Sequence, residues 1–295
     1  LSAPGRSGPD GAGLALLAVT TLGWGLNWPA MKVLLAEWPV LTTRASAGAL
    51  GLTLLLTVAL VRREKLTVPP ALWPRLVLTA LLNVTAWMGL ASFSLLWLSA
   101  AEATIICYTM PVWATLMAWA ILGEKPHPAR LAGLALALSG LVVLVLGHGV
   151  AVGLEKAPGV AFGLGSAILF SLGTVVTKRW PLGLPPTSAT VWQVGIGILP
   201  LAVLALIFDR PEVGRLSVGD WALLAYGGVF ALGLCYLSWF AALRRLPASL
   251  ASLGTLLTPM VGVASAALFL GEPFGWREAT ALGLTLSGVG LAVRG

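Results

Sequence analysis

The residues that could make or break a covalent bond are few in this chain and gathered in no familiar motif. Its 295 residues hold two histidines, two cysteines and eleven carboxylates. His127 falls in a connection and His148 at the end of an apolar run, and every Asp and Glu likewise falls in a connection or at the end of a run. No Gly-x-Ser-x-Gly elbow, Cys-x-x-Cys pair or His-Glu-x-x-His motif occurs, so the nucleophile-with-base and metal-ligand constellations that catalysis requires are missing. No metal and no cofactor are expected, and an intramembrane enzyme is the remote reading. Non-covalent chemistry remains. The stretch GWGLNWPAMK, residues 23 to 32, sets Trp24 and Trp28 four apart on one helical face, with Asn27 beside them and Lys32 a turn later. Flat indole surfaces carrying N–H donors, next to an amide, hold a small solute by shape and hydrogen bonding.

The surroundings of that stretch are apolar. Hydrophobic residues make up 58% of the chain and charged ones 10%, against about 25% charged in an ordinary soluble domain. Ten apolar runs follow one another, at about 12–35, 39–61, 74–97, 100–122, 129–148, 159–179, 186–208, 219–243, 248–270 and 276–293. Each suits a hydrocarbon core roughly 30 Å thick. The reading is an all-α integral membrane protein of ten transmembrane helices, with residues 1–295 as a single membrane domain. The first run is too long for the core of a cleaved leader and is expected to stay as a helix. Cys107 and Cys235 fall within spans, as small packing residues. If the amino terminus is cytoplasmic, twelve of the 18 basic residues are inside and four outside. The positive-inside rule therefore places both termini in the cytoplasm. Spread along loops that face anionic lipid, these residues account for the net charge of +7 without a nucleic-acid partner.

A shift of 148 residues lays MPVWATLMAWAILGEK (110–125) on TPMVGVASAALFLGEP (258–273). Pro111 meets Pro259, Leu122-Gly123-Glu124 meets Leu270-Gly271-Glu272, and Ser139-Gly140 meets Ser287-Gly288. Each repeat, 12–148 and 159–294, holds five helices, an odd number, so the second enters the membrane from the opposite side. Inverted repeats mark alternating-access carriers, whose substrate site lies near the midplane between the halves. The paired Pro…Leu-Gly-Glu elements, the Gly-Trp-Gly…Asn-Trp-Pro of the first helix and the Ser-Gly pairs of the fifth and tenth resemble the EamA-type drug/metabolite transporter superfamily. The resemblance covers essentially the whole chain, and by overall likeness it is nearest the YddG-type aromatic amino-acid exporters. It implies an inner-membrane exporter with helices 1, 3, 4, 6, 8 and 9 around a central cavity, and with 5 and 10 peripheral.

The candidate cavity residues are Trp24, Asn27, Trp28, Asn83, Trp87, Tyr108, Ser171, Thr174, Gln193, Tyr236 and Trp239, extended by Met88, Phe170 and Phe240. Each has a second reading. Deep tryptophans also pack or face lipid, and amides and hydroxyls also bond helices together. Pro29, Pro111 and Pro259 are candidate hinges, or static kinks. Lys32 and Arg44, inside spans, either snorkel or attract a substrate carboxylate. Lys32 could also pair with Glu272 as an outer latch, matched by Lys178 with Glu124 on the inner side. With no acid at mid-membrane, facilitated movement is expected, with coupling through a helix-end acid such as Glu102 as the alternative. The reading is a monomer-sufficient exporter of amino acids, especially aromatic and apolar ones, whose partners are its small-molecule substrate and the lipid bilayer. The alternatives are a multidrug or quaternary-amine exporter, since aromatic cages bind cations, and a sugar-phosphate or nucleotide-sugar carrier, which so few buried basic residues would serve poorly.

Overall fold

The computed structural model describes residues 10–123, 128–146, 150–246 and 257–294. Glu124, His127 and His148 lie outside them, as does the start of the ninth apolar run. The described residues form helices and short connections, with no strand among them. In chain order the helices are α1 (Gly11–Glu37), α2 (Val40–Val61), α3 (Pro70–Ser94), α4 (Ala100–Leu122), α5 (Pro128–Leu146), α6 (Val150–Arg179), α7 (Pro186–Phe208), α8 (Val218–Leu243), α9 (Leu257–Leu270) and α10 (Trp276–Arg294). Six of them, α2, α3, α4, α6, α7 and α8, contain stretches long and apolar enough to cross a membrane. The face carrying the start of α1 is called the near face below, and the opposite one the far face.

Local chemistry sets the helix ends. Asp10 caps α1, accepting from the Ala12 amide. Ser99 with Glu102, and Ser217 with Asp220, form reciprocal capping boxes that open α4 and α8. Gly123 and Gly271 have φ of 72° and 64°, the left-handed conformation that ends a helix and that glycine adopts without a Cβ penalty. This is the physical content of the paired Leu-Gly-Glu elements.

Several boundaries differ from the sequence expectation. The sixth helix begins at Val150 rather than near 159 and runs through Pro158. Lys156, in its second turn, pairs with Glu102 at the start of α4 at 2.6 Å. The fourth run is interrupted at Tyr108–Thr109, just before Pro111, which opens the second half of α4 where its missing N–H costs nothing. Pro29, by contrast, lies inside a helix that stays α-helical from Gly11 to Glu37. Two π-helical stretches, Leu81–Ala86 in α3 and Tyr226–Leu234 in α8, break the 3.6-residue period. Under the 148-residue shift the first falls within the second.

The helices form two three-membered bundles, α1 with α8 and α9, and α3 with α4 and α6. Each draws from both repeats, and exchanging α1 with α6, α3 with α8 and α4 with α9 turns one bundle into the other. Helices α2 and α7 pack against each other and onto α8 and α3 respectively, while α5 and α10 pair at the side. On the far side the bundles meet: the first half of α4 packs on α9, and Leu34, Leu95, Leu98, Ile105 and Ile106 are buried there in one cluster.

Candidate functional site

Between the bundles lies a cavity of about 370 Å³, inside the roughly 300–1,000 Å³ range of small-molecule sites. Helix α1 contributes Trp24, Asn27 and Trp28, α3 contributes Asn83, Trp87 and Met88, and α4 contributes Tyr108 and Pro111. Phe170 comes from α6, Tyr236, Trp239 and Phe240 from α8, and Thr258 and Pro259 from α9. The rings form two groups. Trp24 meets Tyr236 edge-on at 5.5 Å and Trp239 at 6.0 Å. Trp87 lies 5.0 Å from Phe170 and 6.5 Å from Tyr108, which in turn lies 6.4 Å from Trp28.

Close helix contact aims these side chains. A Cβ on Gly23 would stand 2.3 Å from the Cys235 sulfur, and one on Gly25 would stand 2.5 Å from Val261. The two glycines therefore let α8 and α9 approach α1, leaving Trp24, Asn27 and Trp28 on the face between. Polar contacts fix the α1–α8 seam: the Trp24 indole N–H donates to the Ala231 carbonyl at 3.0 Å, and the Tyr226 hydroxyl donates to the Gly23 carbonyl at 2.8 Å. The π-helical stretches supply Asn83 and Ala231 to the cavity wall from equivalent positions of α3 and α8, where the wider turn shifts the helical phase. The Oδ1 atoms of Asn27 and Asn83 are both buried without a hydrogen-bond donor.

A second space of about 450 Å³ shares Asn83, Phe170, Tyr236 and Phe240 with the cavity and continues past Thr174 and Gln193 to the α6–α7 connection on the near face. Thr174 and Gln193 thus line a vestibule rather than the cavity itself. Ser171 lines neither. Its hydroxyl is turned away, donating at 2.6 Å to the Met110 and Ala167 carbonyls, so it fastens α6 to the interruption in α4. Trp192 also lies outside, donating to the Leu66 carbonyl at 2.7 Å. Sequence reasoning missed Met31 and Thr258, both cavity-lining. Met31 was within reach, since it stands one turn from Asn27 and Trp28 on the same helical face. Pro259, matched to Pro111 by the repeat, pointed to the neighbourhood of Thr258.

On the far side, charged side chains hold the α3–α4 corner. The Lys32 ammonium donates to the Leu95 and Leu98 carbonyls at 2.5 and 2.7 Å. The Glu272 carboxylate accepts from the Ala100 and Ala101 amides at 2.7 and 3.0 Å. Lys32 and Glu272 do not form the direct pair expected from sequence. The reason is that each finds a helix end of matching sign, a cation on the carbonyls closing α3 and an anion on the amides opening α4. Both bridges run from the α1/α8/α9 bundle to the α3/α4/α6 bundle. Arg44 lines the cavity and its Nε donates to the Ser92 hydroxyl near the end of α3. Lys178, on the near side, is described, but the Glu124 proposed to match it lies outside the described residues.

A model of the EamA-like transporter family matches residues 11–146 and again residues 157–294. The uncharacterized transporter YvbV of Bacillus subtilis is 31% identical over 267 residues, covering 88% of this chain and 84% of the relative. A probable amino-acid metabolite efflux pump of Salmonella typhimurium is 27% identical over 302 residues, covering 96% of this chain and 92% of the relative. One solved crystal structure superposes with a TM-score of 0.69 over 97% of both chains at 21% identity, a likeness of fold.

Proposed function

Because the chain belongs to the EamA-like transporter family, we propose that it exports amino acids, foremost aromatic and apolar ones, across a bacterial-type inner membrane by alternating access. One observation carries this reading: the cavity between the bundles is walled by indole and phenol rings and contains no Asp or Glu among its described lining residues. Such walls select flat apolar groups by shape. The name of the Salmonella relative, "probable amino-acid metabolite efflux pump", points the same way. A cationic-drug exporter is favoured less, since the aromatic set has no acid to assist it. A carrier of phosphorylated solutes is disfavoured by the single cation among the described lining residues.

In this reading solute enters from the near face, taken as cytoplasmic, and leaves when the bundles part on the far side. Lys32 and Glu272 hold the far side shut through the α3–α4 corner. The inverted repeat supplies the other state: Glu124 takes the place of Glu272 at the start of the ninth helix, with Lys178 serving as Lys32 does. Pro111 and Pro259, matched positions on the cavity wall, act as the hinges. Without an acid to carry a proton, the solute's own gradient drives movement. One chain encloses the cavity, so a monomer suffices. The test is uptake of labelled tryptophan into liposomes carrying the purified protein, with unlabelled amino acids as competitors. Saturable, competed uptake is expected, and uptake no faster than in empty liposomes by folded protein would refute the reading.

A further inference from the structure

We infer that Arg44 is the anchor for the transported solute's carboxylate, and that the carrier therefore distinguishes amino acids from the corresponding amines. The inference rests on the amino-acid reading above and gives it a binding chemistry. Arg44 is the one charged side chain among the described residues that line the cavity. It leaves α2 one turn from that helix's far end, and its Nε is spent on the Ser92 hydroxyl. That contact, near the far end of α3, sets the guanidinium toward the far end of the cavity, the end that a solute entering from the near face would reach last. Among the described residues its two terminal nitrogens have no acceptor, and no carboxylate lies within 4 Å of it. Those nitrogens form a planar fork that matches a carboxylate by two parallel hydrogen bonds, as a lysine ammonium could not.

The same cavity offers a complement for the other half of an amino acid. The Asn27 and Asn83 side chains line the cavity from α1 and α3, one on each bundle, and their Oδ1 atoms are buried without a donor, that of Asn83 against Gly173. An amide turned over presents its oxygen to the cavity, and because a buried acceptor left unmade is costly, a solute whose ammonium donates to it is preferred over one that has none. The rings of Trp28, Trp87 and Tyr108 line the same cavity, leaving the side chain of the solute as the part read by shape. A zwitterion fits all three; tryptamine leaves Arg44 unmatched, and indole-3-propionate leaves the amides unmatched.

Binding to purified protein, read as ligand-induced thermal stabilisation, should follow the order tryptophan, then indole-3-propionate, then tryptamine. Tryptophan should lead tryptamine by about ten- to hundredfold in affinity, the range of a charged hydrogen-bonded pair. Arg44→Gln should remove most of that lead while leaving tryptamine unchanged, and Arg44→Lys, which keeps the charge but not the fork, should fall between. Equal losses for tryptophan and tryptamine would reduce Arg44 to a strut between α2 and α3 and overturn the inference, as would equal wild-type affinities or no binding at all. Should Arg44→Gln fail to fold, the wild-type order and Arg44→Lys decide. Liposome flux separates the two readings: carboxylate-selective binding without tryptophan flux would sink the export reading and leave the Arg44 site standing.

Discussion

Replacing Glu272 by glutamine should loosen the far side of the protein by an amount that the structure allows to be worked out. The carboxylate accepts from the Ala100 and Ala101 amides, two donors at the start of α4 that have no partner within their own helix. Glutamine keeps one acceptor oxygen and loses the other together with the charge. A lost cap contact costs about 1 kcal/mol, and the anion's interaction with the helix end adds about 0.3–1 kcal/mol. Glu272 is partly exposed, so the sum falls at the lower end, about 1–2 kcal/mol, equivalent to a factor of about 5–30 in a two-state ratio. Because Glu272 bridges the bundles, that energy favours the far-closed state specifically. The assay is the rate of maleimide labelling at Leu34→Cys, a position 0% exposed in the far-side cluster, in a background with Cys107→Ala and Cys235→Ala. Labelling should accelerate about 5- to 30-fold in Glu272→Gln, and likewise in Lys32→Met, which frees the Leu95 and Leu98 carbonyls. Asp10→Asn, on the near face, should leave the rate unchanged. Unchanged labelling in both far-side variants would refute the latch.

Further outcomes are expected elsewhere. Trp87→Ala should weaken competition by tryptophan at least about two- to tenfold, from the loss of an aromatic contact worth about 0.5–1.5 kcal/mol beyond its area, whereas Trp192→Ala, outside the cavity, should not; competition against labelled uptake measures both. Gly288→Ala would set a Cβ 2.4 Å from the Gly133 carbonyl oxygen and 2.6 Å from the Ala137 amide, so overpacking of about 1–3 kcal/mol between α5 and α10 should appear as a lowered unfolding temperature. The hydrogen bond from Arg245 holds the Asp10 carboxyl below the usual carboxylate range. A depressed carboxyl contributes stability above its unfolded value and loses it as pH falls through the folded one. Protection of the first-turn amides of α1, measured against their intrinsic exchange rates, should therefore fall only in acid, and Asp10→Asn should abolish that acid dependence. An imposed pH gradient at clamped membrane potential should leave tryptophan flux unaltered; flux that tracks the gradient would contradict facilitated movement.

Much of the architecture was legible because membrane insertion constrains sequence directly. A bilayer has no water for backbone groups, so a chain this apolar must span it in helices, and the length of each run is set by the hydrocarbon core. The repeat was legible through punctuation: Pro111 with Pro259, and Gly123 with Gly271, whose positive φ values give the matched glycines a shared backbone role. Helix phase was not legible. The wide turns at Leu81–Ala86 and Tyr226–Leu234 shift the faces of α3 and α8, and nothing in residue type announces them. Nor does composition separate a hydroxyl that faces a cavity from one that binds a neighbouring carbonyl, and so Ser171 was placed with Thr174 although the structure turns it into a fastening for α4.

Charge shows the division most clearly. From the sequence alone it follows that Lys32, Arg44 and Glu272 are costly residues at or near the membrane and need an occupation. Which occupation each takes is a matter of reach, decided only when helices from both repeats are packed. Lys32 ends on the Leu95 and Leu98 carbonyls of the α3–α4 corner, Glu272 on the first amides of α4, and Arg44 beside Ser92 on the cavity wall. Hydropathy and punctuation are local properties of a chain and survive in its sequence. The partner of a charge is not local, because it depends on which helix ends the packing of two bundles brings within a few ångströms.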